Sequence, residues 1–378
     1  MRNFLRSLVR QPEHVPRHYF SIDLLRGTAA IAILFCHYQY FYGPHSQAEF
    51  TLHDVGRQPL YSVFSLLYEH GNKAVQLFWM ISGFVFSAVY IGRHPDARSF
   101  FVNRFSRLYP LHFLTLLAMT VVQVTSKRVL GYFQIFPHND LYHFVLNLLF
   151  IPGWGVETGG AFNFPIWSVS VETLIYGLFF LTLPILFRGG LLGPAAGALV
   201  FLTLNRFHLP TPAIGCGLYF FAGCCVFVFL KSCRRMAVYI AIALAALPAL
   251  LRFGLHSHFL LGERFVFPFA GVILLLGYID EMYEFGAIKT WLAWVGESTY
   301  GIYLLGVPLQ FALMCALDIA GIDRGPLADS LWFFACYMAA VLILARLSFV
   351  RVERPLQALL RNRLLPAPAG ARELGYGA

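Results

Sequence analysis

Residues Ser21–Tyr42 read SIDLLRGTAAIAILFCHYQYFY. No charged side chain lies between Arg26 and His37. A bilayer core of about 30 Å needs roughly 20 mainly apolar residues in a helix, and Leu24–Tyr42 meets that need. The stretch predicts a membrane-spanning helix, yet two of its residues sit badly with lipid. Eleven helical steps of about 1.5 Å put His37 roughly 16 Å beyond Arg26. Arg26 then stands near one face of the membrane and His37 near its mid-plane. An ionisable group at that depth costs roughly 2.5–3.5 kcal/mol on insertion scales, and such groups face a partner or a cavity.

The same apolar character runs through the rest of the chain. Of its 378 residues, 58% are hydrophobic, 17% aromatic and 12% charged. A soluble domain carries about 25% charged residues, so this chain lacks the charge to cover a water-facing surface. It is too aromatic to be disordered. Mean hydropathy is +0.65 over the whole chain, which excludes a soluble protein with a single anchor. Nine further stretches read as spans: Ala74–Ile91, Tyr109–Thr125, Ile166–Phe187, Leu191–Asn205, Ala213–Leu230, Met236–Phe253, Phe265–Ile279, Thr299–Leu317 and Leu327–Val350. The prediction is an all-α, polytopic integral membrane protein with about ten transmembrane helices in one bundle. Leu141–Pro152 is apolar but short, and Pro152-Gly153 stops it. It reads as a re-entrant or interfacial piece.

Charge predicts the orientation. The chain has 28 basic and 19 acidic residues, a net charge of +9. With the N-terminus in the cytoplasm and the spans alternating, most of the Lys and Arg fall on the inner side. Arg10, Arg93, Arg98, Arg104, Arg107, Arg234 and Arg351 are among them, while Arg57, Lys127 and Arg206 belong to an outer minority. That asymmetry marks cytoplasmic loops and predicts that both termini are cytoplasmic. It also accounts for the basic balance without nucleic acid, since no basic helix carries interleaved aromatics and no zinc-knuckle spacing occurs. The seven cysteines lie mostly in apolar stretches and form no CxxC, so neither a disulfide framework nor a metal site is predicted. The organisation read from this is a cytoplasmic N-terminal segment over 1–20 rather than a cleaved leader, a membrane domain over 21–356 and a cytoplasmic tail over 357–378. The largest stretches off the membrane, Gly43–Lys73 and Ser126–Pro165, fall outside.

Few polar residues interrupt the spans, and these are the candidates for chemistry. His37 belongs to the residue type most easily set to give and take a proton near neutral pH; a core histidine bonded to a carbonyl is the alternative. In PIWSVSVETLIYGLFF, Ser168, Glu172 and Tyr176 are spaced i, i+4, i+8 and share one helix face. A carboxyl there must pair, protonate or line water, unless it serves as an interhelical clamp. Arg104 and Arg107 are spaced i, i+3 just before Tyr109-Pro110. Guanidinium pairs suit phosphates, and lipid headgroups would use them equally. Tyr300 and Tyr303 lie one turn apart in GESTYGIYLLGVPL, a placement that an interfacial aromatic belt would also explain. Arg346 is near enough to the inner surface to snorkel.

In this order the pieces resemble the acyltransferase-3 family of integral membrane acyltransferases. The matching stretches are IDLLRGTAAIAILFCHY with its Arg-x10-His, FWMISGFVFS, RFSRLYPLHF with its RxxR, PIWSVSVETLIYGLFF, STYGIYLLGVPL and VERPL. They extend from Ser21 to Leu356. The resemblance implies roughly ten membrane helices and transfer of an acyl group, usually acetyl, from cytoplasmic acetyl-CoA. The usual acceptor is a hydroxyl of an envelope or exported glycan, such as an O-antigen or exopolysaccharide. It implies that His37 and Glu172 are catalytic and that Arg26, Arg104 and Arg107 bind the acyl-CoA. Asp23, Ser82, Trp167, Ser168, Tyr300 and Tyr303 would support them, with no metal and no bound cofactor. The implied partners are acyl-CoA, a glycan acceptor and membrane lipids, in a bacterial inner membrane. One departure is visible: where many members read Tyr-Leu-Leu-His, this chain reads Tyr303-Leu304-Leu305-Gly306, which puts more weight on His37.

The expected chemistry keeps the charged end of acetyl-CoA at the cytoplasmic arginines while its pantetheine arm reaches toward His37. That histidine would act as general base or carry the acyl group, with Glu172 orienting it. The outer stretch Ser126–Pro165, with Tyr132, Phe133, His138, His143 and Trp154, suits sugar faces and hydroxyls. The competing function classes are a polytopic glycan or lipid transporter, for which matching broken helices are expected but not found in the sequence, and a non-catalytic part of a polysaccharide export system.

Overall fold

Each of the ten predicted spans is helical in the computed structural model, which describes residues 18–43, 55–207, 211–254 and 265–365. In lipid a backbone satisfies its N–H and C=O groups only internally, so apolar runs of this length fold as helices. In chain order they are α1 (Phe20–Tyr38, continued by a 3-10 turn at Gln39–Tyr42), α2 (Tyr61–His70), α3 (Ala74–Tyr90), α4 (Ala97–Leu130), α5 (Leu141–Leu148), α6 (Ile166–Leu186) and α7 (Leu192–Arg206). Then follow α8 (Pro212–Ser232), α9 (Ala237–Gly254), α10 (Val266–Met282), α11 (Ile288–Ile319), α12 (Arg324–Ala328), α13 (Leu331–Ser348) and α14 (Arg354–Leu364). No strand occurs among the described residues.

Seven stretches of the described residues are long and apolar enough to cross a membrane; they contain α1, α2 with α3, α4, α6, α8, α11, and α13 with α14. The chain is an all-α, multi-pass membrane protein. The other three predicted spans, α7, α9 and α10, are helices of 15, 18 and 17 residues. They pack as a flank on the bundle, α7 on α8 and α9 on α10. The predicted re-entrant piece is the eight-residue helix α5. Residues 1–17 and 366–378, most of the two predicted cytoplasmic ends, lie outside the described residues.

Two helices are longer than their apolar cores predict. α4 begins at Ala97 instead of Tyr109, because the Asp96 side chain accepts from Ser99 N at 2.9 Å and caps the first turn. Arg104 and Arg107 therefore sit on helix rather than loop. α11 starts at Ile288 instead of Thr299. Close packing sets the centre of the bundle. A Cβ on Gly83 of α3 would lie 1.8 Å from Phe220 O, and one on Gly223 of α8 would lie 1.9 Å from Met80 O. The two backbones touch through reciprocal glycines, the close approach that small residues permit between membrane helices.

Polar clamps close both ends of α1. At the Arg26 end, Asp280 (2% exposed) accepts from Ser21 N at 3.1 and 3.2 Å, and Glu281 accepts from Tyr19 OH at 2.9 Å and pairs with Lys231. At the His37 end, Arg324 and Asp318 pair at 3.1 Å, and Asp318 also accepts from Gln134 at 2.8 Å. Arg346 pairs with Glu297 at 3.1 Å and lies over the Trp294 ring instead of snorkelling alone.

Candidate active site

Helices α3, α4, α6 and α11, with Arg26 of α1, enclose a cavity of about 910 Å³, its open mouth included. Three guanidinium groups line it. Arg26 lies 3.6 Å from Asp23, one turn back on α1, and Asp23 also accepts from His18 Nε2 at 2.6 Å. That bond holds the His18 imidazole above its ordinary pKa. Arg104 stacks its guanidinium 4.7 Å over the Phe86 ring, and its Nε is buried without a partner. Arg107, a turn further along α4, is exposed and lies within electrostatic range of both other arginines.

Like charges confined together repel, and burial strengthens the repulsion. The lining supplies one carboxylate against it. Glu172 is 9% exposed, lies beside Ser82 and Tyr176, and feels the charges of Arg26 and Arg104. Its Oε1 is buried without a hydrogen-bond partner. Three cations face one carboxylate in the lining, with Asp23 paired to Arg26 behind it and Glu353 within electrostatic range of Arg107, and the lining itself favours an anion. Deeper in the cavity, Tyr303 OH lies 2.8 Å from Pro165 O and 2.6 Å from Ser168 Oγ. Ser168 Oγ also lies 3.2 Å from Pro165 O, so one of the two hydroxyls donates to that carbonyl and the other donates across the pair. Tyr300 OH donates to Leu108 O at 2.6 Å, tying α11 to the turn of α4 that carries Arg107.

The family model for an acyltransferase domain matches residues 19–349. The chain belongs to the acyltransferase-3 family. Among curated proteins it is similar to acyltransferase MdmB of Streptomyces mycarofaciens, 30% identical over 172 residues (44% of this chain and 39% of that protein). It is also similar to nodulation protein 10 of Rhizobium leguminosarum bv. viciae, 30% identical over 200 residues (50% of this chain and 49% of that protein). The chain thus spans half or less of the length of the curated relatives it matches. No solved structure matches it.

Of the residues carried over from the family, Arg26, Ser82, Arg104, Arg107, Ser168, Glu172, Tyr300 and Tyr303 meet in this one lining. Asp23 stands behind Arg26. Trp167 lines a second, smaller cavity, its ring set edge-on at 5.8 Å to Trp79 of the first. His37 stands outside both linings. Its ring stacks on Tyr40 at 5.3 Å, and its carbonyl accepts from Gln310 Nε2 at 3.0 Å. Among the described residues no hydrogen bond or ion pair joins His37 to Glu172, whose neighbours are Ser82, Tyr176 and the arginines.

The family departure at Gly306 has a steric counterpart. A Cβ there would lie 2.9 Å from Leu34 Cδ1, and Tyr337 OH donates to Gly306 O at 3.2 Å. Leu34 Cδ1 would have to shift to admit a side chain there, and Tyr337 OH would stand in ordinary contact with it at 3.7 Å. Sequence reasoning missed Phe86, the platform under Arg104. The signal was there, since Phe86 stands four residues after Ser82 and so shares its helix face. It also missed Trp79, whose Nε1 donates to Ser168 O at 3.2 Å.

Proposed function

We propose that this protein is a membrane O-acyltransferase that moves an acyl group, acetyl in the first instance, from cytoplasmic acyl-CoA to a hydroxyl of an envelope or exported glycan. The observation that carries this reading is the convergence of Arg26, Arg104 and Arg107 on a cavity of about 910 Å³ that runs into the bundle. Guanidinium groups bind phosphate through charge-assisted, often bidentate bonds. An acyl-CoA joins a polyphosphate end to a narrow pantetheine arm, and the cavity has a cationic part and a deeper part of matching chemistry. The basic inner loops support an orientation with these arginines and both termini on the cytoplasmic side of a bacterial cell membrane.

In this reading the glycan hydroxyl oxygen attacks the thioester carbonyl carbon. The new C–O bond forms, the C–S bond breaks, and the sulfur leaves as CoA thiolate. The proton lost by the hydroxyl goes to His37, which returns it to solvent, and the CoA thiolate takes up a proton on release. His37 suits the role of base because its ring nitrogens have no hydrogen-bond partner among the described residues. Glu172 offsets part of the positive charge of Arg26 and Arg104.

The test is transfer by purified protein in liposomes given radiolabelled acetyl-CoA and an envelope glycan fraction. The expected result is alkali-labile label on glycan, lost with Arg104→Glu. Tight acetyl-CoA binding with no label transferred would overturn the enzymatic reading.

A further inference from the structure

A histidine that works as a base is ordinarily held by a carboxylate or carbonyl on one ring nitrogen, which sets its plane and tautomer. His37 has no such anchor. Among the described residues no hydrogen bond or ion pair reaches its ring. Its orientation therefore comes from packing, and the end of α1 supplies it.

The α-helix stops at Tyr38 and tightens into the 3-10 turn Gln39–Tyr42. Carbonyls at the end of an α-helix lack intrahelical donors. Gln310 of α11, fully buried, provides one: its Nε2 donates to His37 O at 3.0 Å and reaches Tyr38 O at 3.4 Å. In a 3-10 turn the side chains at i and i+3 eclipse, and Tyr40 comes three residues after His37. Its ring accordingly stacks on the imidazole, with centroids 5.3 Å apart and planes 19° apart. That is the offset geometry aromatic pairs prefer. The Tyr40 ring is itself fixed. Phe136, from the loop after α4, and Phe311 of α11 both meet it in T-shaped contacts, at 5.8 Å and 79° and at 5.9 Å and 78°.

A stack fixes the plane of an imidazole and leaves both nitrogens, at the ring edge, free for chemistry. A base also becomes a cation when it takes a proton, and an aromatic face attracts a cation. The Tyr40 contact is thus stronger after the proton has moved than before. Only interactions of that kind speed the chemical step. We propose that Tyr40 is the positioning residue of the base: it holds the His37 ring in plane and stabilises the imidazolium formed as the acceptor O–H bond breaks and the N–H bond forms. The proposal rests on the acyl-transfer reading above and names what orients its base. Tyr40 also lies within electrostatic range of Tyr303, which lines the arginine cavity, so the held ring stands beside the donor's place in that reading.

The test compares Tyr40→Phe and Tyr40→Leu in the full-length protein, in liposomes with radiolabelled acetyl-CoA and an envelope glycan fraction. Tyr40→Phe keeps the stacking face and should keep kcat within about twofold. Tyr40→Leu fills the space without the face. Its kcat should fall about tenfold, with the KM for acetyl-CoA unchanged. In a His37→Ala background, Tyr40→Leu should lower the residual rate no further, because the two residues act as one unit. An equal loss in both backgrounds would make Tyr40 a packing residue and overturn the proposal, as would a native kcat in Tyr40→Leu. Proton NMR in detergent micelles reads the stack without the reaction. The His37 ring protons, assigned by their loss in His37→Ala, should carry an upfield ring-current shift that survives Tyr40→Phe and disappears in Tyr40→Leu. No such shift in the native protein overturns the proposal whatever the rates. A native protein that shows the shift yet labels no glycan overturns the acyl-transfer reading, and Tyr40's role in it, while the contact itself stands.

Discussion

The two cavities on either side of the first turn of α6 are built from opposite chemistry. The larger gathers three guanidinium groups against one carboxylate; the smaller gathers acceptor atoms with no partner beside aromatic faces. A cationic cavity selects anions with long-range force that salt weakens. An acceptor-lined one selects by short-range hydrogen bonds that depend on shape. The larger has room for part of a substrate; the smaller has room for little more than a water, which its acceptors would hold. The two share a wall, Trp79, Trp167 and Ser168, where coupling between them is expected.

The largest expected effect lies at neither cavity but beside them. His37→Ala should lower acyl transfer by about 10²–10⁴-fold, the usual worth of a general base. The protein should remain inserted and abundant, because among the described residues no hydrogen bond or ion pair of the His37 side chain ties it to the fold. Binding of acetyl-CoA should survive. A variant that transfers at the native rate would remove His37 from the chemistry. Next comes Arg104→Glu, which removes one charge-assisted contact worth about 1.5–3 kcal/mol and adds repulsion. The KM for acetyl-CoA should rise about ten- to a hundredfold and the native KM should climb with salt, while the acceptor KM stays put. Equal rises in both would mean that the arginines hold the bundle together and bind nothing.

Gly306→His tests whether His37 works alone. The added ring must displace Leu34, whose methyl would lie 2.9 Å from the new Cβ. Overpacking of this kind costs about 1–3 kcal/mol. A lower melting temperature with no gain in kcat is expected. A gain would show that a second histidine beside α1 can still be used.

Much of this was legible in the sequence. The helices were, because their apolar length admits few alternatives in lipid. So was the arginine cavity, because Ser168, Glu172 and Tyr176 repeat every four residues, and Arg104 and Arg107 every three. The longer extents of α4 and α11 were hidden, since a polar first turn held by a cap such as Asp96 reads as loop in any apolar window. The number of crossings is less legible: α7 and α10 are helices of 15 and 17 residues, at the short end of what reaches across a bilayer. The smaller cavity was only half visible. His143 and Trp154 marked the outer stretch as sugar-like, but the unmet acceptors of Asn147 and Glu157 depend on which backbone groups their other atoms reach. Spacing does not encode that.

The smallest predicted effect asks how far the support of one cavity is independent of the other. Asp140 caps α5, accepting from His143 N at 2.9 Å as well as from its ring. The backbone N–H holds the Asp140 carboxyl below the usual carboxylate range. A depressed folded-state pKa gives a contribution that is present above the unfolded value and lost as pH falls through the folded one. The cap therefore stays intact at neutral pH and fails only in acid. Asp140→Ala should cost about 1 kcal/mol of helix capping and let the His143 ring turn, lowering the melting temperature at pH 7 with acetyl-CoA binding unmoved. The difference in stability between variant and native should begin to shrink near the ordinary carboxylate value of about 4 and vanish only once pH falls through the lower folded-state value. A rise in acetyl-CoA KM would mean that α5 supports both cavities, and that the wall between them transmits more than the division of chemistry implies.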